Sequence, residues 1–364
     1  MTREMKTLRP VAILASFLML TASAVAQMSL TPPAAQTPPP AASQPALKPK
    51  PKPAAAAKKS AAAKPATPAA PQTVTVTPAP APDDPNVDLV YGAYQRGQYK
   101  TAHDLAIKRV QDSSDPKAMT MLGELSANAL GIKRDDAKAA EWYKRAADGG
   151  DREGMFALAM MRLAGRGGPV NREEAVRLLA SSAKLGNPKA AYNLALLYLD
   201  GQTLPQDLKR SAELLRMAAD AGNPEAQYAL ATFYKEGTGV PKDIDKAVRL
   251  LQAASLADNV DAEVEYAIAL FNGTGTPQNK PAAIALLSKA ARQNSPIAQN
   301  RLARVLVGGQ GVPVDKIEGL KWHIVAKTAG KGDPELDAEL AKLSPEDRAK
   351  ADAAARKWIG NNVK

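Results

Sequence analysis

Cysteine is absent from all 364 residues, which excludes disulfides, thiolate metal sites and a lipid-bearing cysteine behind an export signal. Histidine is nearly absent too, with only His103 and His323, 220 positions apart. Aromatic residues make up 4% of the chain, and none lies between Phe17 and Tyr91, so that stretch lacks the material for a core. Acids are scarce at the start of the chain as well. The first 82 residues carry nine Lys/Arg against the single acid Glu4, which accounts for +8 of the net +11 and leaves the remainder nearly balanced at +3. A nucleic-acid-binding domain carries a basic face with aromatic or Gly-rich readers, and neither is found.

What is present begins with a three-part start. Arg3, Lys6 and Arg9 precede the apolar run from Val11 to Leu20, and Ala24-Val25-Ala26 supplies small residues where a signal peptidase reads. Residues 1–26 are expected to be a secretory signal peptide, cleaved after Ala26, giving a periplasmic or secreted protein. The alternative is an uncleaved inner-membrane anchor, for which the run is short of the ~20 residues a span needs. Residues 27–82 are mostly Ala and Pro, charged only by Lys48, Lys50, Lys52, Lys58, Lys59 and Lys64. This composition predicts a disordered, polyproline-II-biased segment. It reads either as a solubilising spacer or as a cationic arm touching peptidoglycan or another anionic surface.

From Asp115 onward one pattern restarts at Asp151, Asn187, Asn223, Asn259 and Ser295, always 36 residues on, and a period of that size indicates a solenoid. Pro116, Pro188, Pro224 and Pro296 follow four of these caps, at the first helical position where a missing N–H costs nothing. In the first helix Leu122, Leu158, Leu194, Leu230 and Leu302 share a column with Tyr266. The next column holds only Gly123, Ala159, Ala195, Ala231, Ala267 and Ala303, and large beside small lets helix axes approach closely. Gly165, Gly201, Gly237, Gly273 and Gly309 stop the helix, with Ala129 in the first copy. Gly131, Gly167, Gly239, Gly275 and Gly311 then mark a turn that a Pro column completes. Asp135, Asn171, Asp207, Asp243, Asn279 and Asp315 cap a second helix bearing a Trp/Leu column from Trp142 to Trp322, with Ala or Ser four residues on.

These columns resemble the Sel1-like repeat, a relative of the tetratricopeptide repeat, over Asp115 to Gly332. The resemblance implies an all-α right-handed α-solenoid of stacked helix pairs that binds proteins, often in regulation or assembly of the bacterial cell envelope. Residues 83–114, including Val87 to Gln111 with a turn at Arg96-Gly97, read as an N-terminal tetratricopeptide-like capping pair. Residues 115–332 form six repeats, and 333–364 form C-terminal capping helices broken at Ser344-Pro345. In the sixth repeat Gly319, His323 and Lys327 replace Ala or Ser, Leu or Tyr, and Ala or Ser, which suits a terminal unit.

Catalytic and cofactor chemistry finds no foothold. Gly237-Thr238-Gly239 and Gly273-Thr274-Gly275 recur at one place in a helix pair and lack the strand and Lys-Ser/Thr of a phosphate loop, so they read as turns. His103 and His323 fall on different units of an elongated array and cannot share a metal. The doublets Asp135-Asp136 and Glu173-Glu174 open second helices, where they complement the helix dipole. No nucleophile constellation is present, so no enzyme activity, cofactor or metal is expected.

The candidate partner-binding residues are a stripe on the first helices not used by the Leu/small columns: Phe156, Met160, Leu163, Tyr192, Leu196, Leu199, Tyr228, Ile268 and Phe271. In tetratricopeptide-type superhelices the first helices line the concave face. The stripe is then either a groove for an extended peptide or partner helix, or core buried between neighbouring repeats. The expected function is a non-catalytic protein–protein scaffold or adaptor of the cell envelope. The alternatives are a periplasmic inhibitor of an envelope sensor kinase, a peptidoglycan-associated structural protein acting through the basic arm, and a hydrolase, which no residue constellation supports.

Overall fold

Side-chain caps set the helix starts. In the computed structural model, which describes residues 88–362, a carboxylate, amide or hydroxyl oxygen accepts an N–H two or three residues on at the cap of each repeat's first helix. The distances run from 2.7 Å for Asp151 to 3.4 Å for Ser295. The proposed signal peptide (1–26) and Pro/Ala/Lys-rich segment (27–82) lie outside the described residues.

The described residues form sixteen α-helices and no strand. An entry pair, α1 (Leu89–Gln95) and α2 (Tyr99–Ser113), turns at Gly97. Six pairs follow: α3 (Pro116–Ala127) with α4 (Asp136–Asp148), α5 (Arg152–Ala164) with α6 (Arg172–Lys184), and α7 (Pro188–Asp200) with α8 (Leu208–Asp220). The last three pairs are α9 (Pro224–Glu236) with α10 (Ile244–Leu256), α11 (Val260–Asn272) with α12 (Lys280–Arg292), and α13 (Pro296–Gly308) with α14 (Lys316–Thr328). Two helices close the array, α15 (Pro334–Ala341) and α16 (Pro345–Asn362). Each second helix packs on its own first helix and on the first helix of the next pair, so burial passes from pair to pair along the solenoid.

That core is built from the first-helix Leu column, with Leu122, Leu158 and Leu230 at most 2% exposed, and from the all-small column beside it. On the second helices the deepest column is one residue beyond the Trp/Leu column of the sequence reading. Tyr143, Leu179, Leu215, Leu251, Leu287 and His323 are buried, whereas Trp142, Leu178, Leu214, Leu250 and Leu286 are only partly so. Neighbouring helix positions differ by 100°, so two apolar columns side by side leave open which points straight inward.

The second glycine column does more than turn the chain. Gly167 and Gly239 take φ of +69° and +65°, and a Cβ at either would collide with a backbone carbonyl of the preceding pair, that of Asp136 or of Leu208. The loop of each of these pairs therefore sits directly on the start of the previous second helix, a close approach that glycine alone permits. Helix ends use the same region of backbone. Gly165, Gly201, Gly237, Gly273 and Gly309 are left-handed as expected, and Ala129 adopts φ +56° in their place. Second helices stop at Gly150, Gly186, Gly222 and Gly330, with Asp258 and Asn294 in the same conformation, these being the side chains that best tolerate it.

The sixth pair corrects one expectation. Lys327 is exposed, but Gly319 and His323 are buried: Gly319 faces Ala303, Leu306 and Val307 of α13, and His323, completely enclosed, meets Asp337 of α15. The His323 Nε2 lies 2.8 Å from an Asp337 carboxylate oxygen, and the Lys327 ammonium donates to the same oxygen at 2.7 Å. Trp322 and Trp358 meet edge to face at 4.9 Å, with the Lys321 ammonium over both rings. Polar character here marks a clamp for the end cap, and the water-facing surface lies beyond it.

Candidate functional site

The stripe chosen from the sequence is carried by four first helices. Phe156, Met160 and Leu163 lie on α5, Tyr192, Leu196 and Leu199 on α7, Tyr228 on α9, and Ile268 and Phe271 on α11. Eight of the nine are partly buried and keep some surface in water. Phe156, Leu163, Tyr192, Leu199 and Tyr228 pack one flank on the central core. Phe271 is the exception: only 4% exposed, it belongs to the core, with the Lys280 ammonium 5.2 Å from its ring centre. The face is thus the margin of the core, with apolar flanks inward and ring edges outward.

Electrostatics gives this face a character that the apolar stripe did not reveal. Burial raises the Tyr192 hydroxyl to about 12, helped by the Glu225 carboxylate in the next repeat. Burial likewise raises Tyr228, with Glu265, Asp261 and Glu236 adding to it. Asp261 has exposed surface, yet desolvation holds its carboxyl above the usual carboxylate range and repulsion from Glu265 adds to the shift. Glu265 is itself tied to Lys235 at 3.0 Å, joining α9 to α11. Further along, Arg301 on α13 is lowered by desolvation first and by its neighbour Arg304 second. Arg304 is engaged with Asp333 at 2.6 Å and Glu335 at 2.9 Å.

These acids were missed because they occupy a column of mixed chemistry: Lys117, Glu153, Lys189, Glu225, Asp261 and Ile297. The available signal was local, acidic residues in consecutive copies of that column, the fourth and fifth, after a lone acid in the second. Neither Tyr192 nor Tyr228 has a hydroxyl hydrogen bond among the described residues.

The other groups singled out from the sequence have structural partners. Asp135 caps α4 through the Lys138 N–H at 3.0 Å. Asp136 reaches Arg166 of the next repeat at 2.7 Å, and the Arg166 guanidinium, with Arg134 second, draws its carboxyl down to about 2. Glu174 meets Arg162 at 2.9 Å and Glu173 meets Arg177 at 2.7 Å. His103, on α2, pairs with Asp104, and His323 is enclosed on α14 at the opposite end of the array. Thr238 and Thr274 lie in the inter-helix turns.

Comparison with known proteins identifies the repeat. The family profile described as Sel1 repeat matches residues 116–151, 152–187, 188–223, 224–259, 260–295 and 296–331. Among solved structures, a Sel1 repeat protein from Oxalobacter formigenes is 26% identical with a TM-score of 0.59, covering 66% of this chain and 98% of its own. The protective antigen c5321 of uropathogenic Escherichia coli, which displays an SLR fold, is 24% identical with a TM-score of 0.52, covering 74% and 67% respectively. No curated protein matches the chain.

Proposed function

Because the chain belongs to the Sel1 repeat family, whose members are typically protein-interaction scaffolds, we propose that it is a non-catalytic adaptor of the bacterial cell envelope that binds a protein partner on the concave, first-helix face of its solenoid. The observation that carries this reading is the half-buried state of Tyr192 and Tyr228. Each packs one flank on the core and leaves its hydroxyl without a hydrogen bond among the described residues. A tyrosine in that position offers a rigid apolar body and a free polar tip, the combination that interfaces favour. The signal-like start, Arg3 to Ala26, supports an exported location, periplasmic or secreted.

Replacing Tyr192 and Tyr228 by Ala tests the face. In affinity capture from an envelope extract with the full chain as bait, the double variant is expected to lose the stoichiometric partner held by the natural chain, with the helical circular dichroism retained. Undiminished capture at intact helicity would remove the face from the reading.

A further inference from the structure

One joint of the array is built differently from the rest. The second glycine column, which seats a repeat's loop on the start of the preceding second helix, is interrupted at Thr203 in repeat 3. At the other five positions glycine takes φ of +65° to +88°, and a Cβ would run into Tyr99, Asp136, Leu208, Ile244 or Lys280. Thr203 stays out of that left-handed region, which a β-branched side chain disfavours strongly. The loop of repeat 3 therefore lacks the seat on α6 that its register would give it.

The end of α7 departs too. Gly165, Gly237, Gly273 and Gly309 each close a first helix with a backbone N–H to the residue four back, whereas Gly201 makes no such bond among the described residues. The Gln202 N–H turns instead to the Asp200 carboxylate, and the Gln206 amide donates to the Leu199 carbonyl at 2.8 Å. These bonds stay within repeat 3. Leu204 packs on the central core, an apolar contact without direction.

The opposite edge of the same joint is pinned. The Arg152 guanidinium, at the start of α5, donates to the Leu185 and Gly186 carbonyls at 3.2 and 3.4 Å. The Asn187 amide, at the cap of α7, donates to the Glu153 carboxylate at 3.0 Å. No ion pair joins α5 to α7 among the described residues, whereas Lys235 and Glu265 join α9 to α11, and Arg304 and Asp333 join α13 to the end cap. A joint fixed along one edge and unseated along the other has the geometry of a hinge. Leu163 and Leu199 lie at the ends of α5 and α7, on the free edge, and Phe156 and Tyr192 lie nearer the pinned one.

Taking the first-helix face as the binding face, we propose that the joint between repeats 2 and 3 is a hinge whose loop edge opens, spreading Leu163 from Leu199 to admit the partner.

The absence of cysteine allows clean labelling. Spin labels at Glu173→Cys with Lys209→Cys report this joint, and labels at Lys209→Cys with Asp245→Cys report the next one. All three residues are exposed, at one register of the second helices. Pulsed electron resonance on the full chain is expected to give a distance distribution about twofold wider across the first joint than across the second. The triple variant Gln202→Thr, Thr203→Gly and Leu204→Val gives repeat 3 the loop residues of repeat 4. At unchanged helicity it should narrow the first distribution to match the second and reduce partner capture from the envelope extract severalfold. Equal widths in the natural chain, or a graft that leaves the first width unchanged, overturn the hinge. A narrowed joint with undiminished capture overturns its part in admitting the partner. The broader reading is tested separately. If Tyr192→Ala with Tyr228→Ala loses the partner while the widths are equal, the face stands and the hinge falls. If that variant keeps the partner while the widths differ, the hinge stands and the face falls.

Discussion

At the scale of single residues, Asp136 shows how an inter-repeat contact is written into a charge. Its carboxyl reaches Arg166 across the joint between the first two repeats and titrates at about 2 in the folded chain, against about 3.9 for an unfolded aspartate. A carboxyl depressed on folding contributes stability that is complete above the unfolded value and is lost as pH falls towards the folded one. The side chain keeps 27% of its surface exposed, so solvent screening discounts the contribution to about 1 kcal/mol. Asp136→Asn is expected to lower unfolding free energy by that amount in urea titrations near pH 7, with the gap closing as pH approaches 2. A gap that persists unchanged in acid would assign the effect to packing and leave the charge without a role.

At the scale of elements, helix starts and stops were legible because their chemistry is local: a cap such as Asn187 and a stop such as Gly201 act on backbone a few residues away. Three features were not, and each depends on something distant in the chain. Gly239 reads as a turn residue, but its second constraint is the Leu208 carbonyl of the previous pair. His323 reads as a polar end residue, but α15 buries it. Glu225 and Asp261 lie in first turns, where acids complement a helix dipole wherever they occur, and only the stacking of repeats brings their charge to bear on Tyr192 and Tyr228. The glycines allow a direct comparison. Gly239→Ala meets both a left-handed backbone and a carbonyl, whereas Gly222→Ala meets only the former, with φ +84° and open space around it. Denaturant unfolding is expected to show a loss of about 1 kcal/mol for Gly222→Ala, the strain alone, and about 2–3 kcal/mol for Gly239→Ala, where a close contact is added. Equal losses would mean that the loop does not bear on the preceding helix.

At the scale of the whole molecule, stability is shared between neighbours, so the ends matter more than their size suggests. Residues 334–362 cover Trp322, through Trp358, and His323, through Asp337, each at most 4% exposed. A chain ending at Gly332 would present that apolar surface to water at 25 cal/mol or so per Å². It is expected to melt several degrees lower and to self-associate in sedimentation, while the first three repeats keep their hydrogen-exchange protection. Uniform loss of protection along the array would show that the repeats unfold as one unit. The seating of the loops through Gly167 and Gly239 has a different consequence. Those joints close on main chain, which every residue possesses, so they are indifferent to most side chains on either side. A 36-residue segment copied in frame at such a seam would meet its neighbours much as the original did. The reach of the first-helix face is then a matter of copy number, which duplication or loss of a short stretch of gene can edit without inventing a new interface.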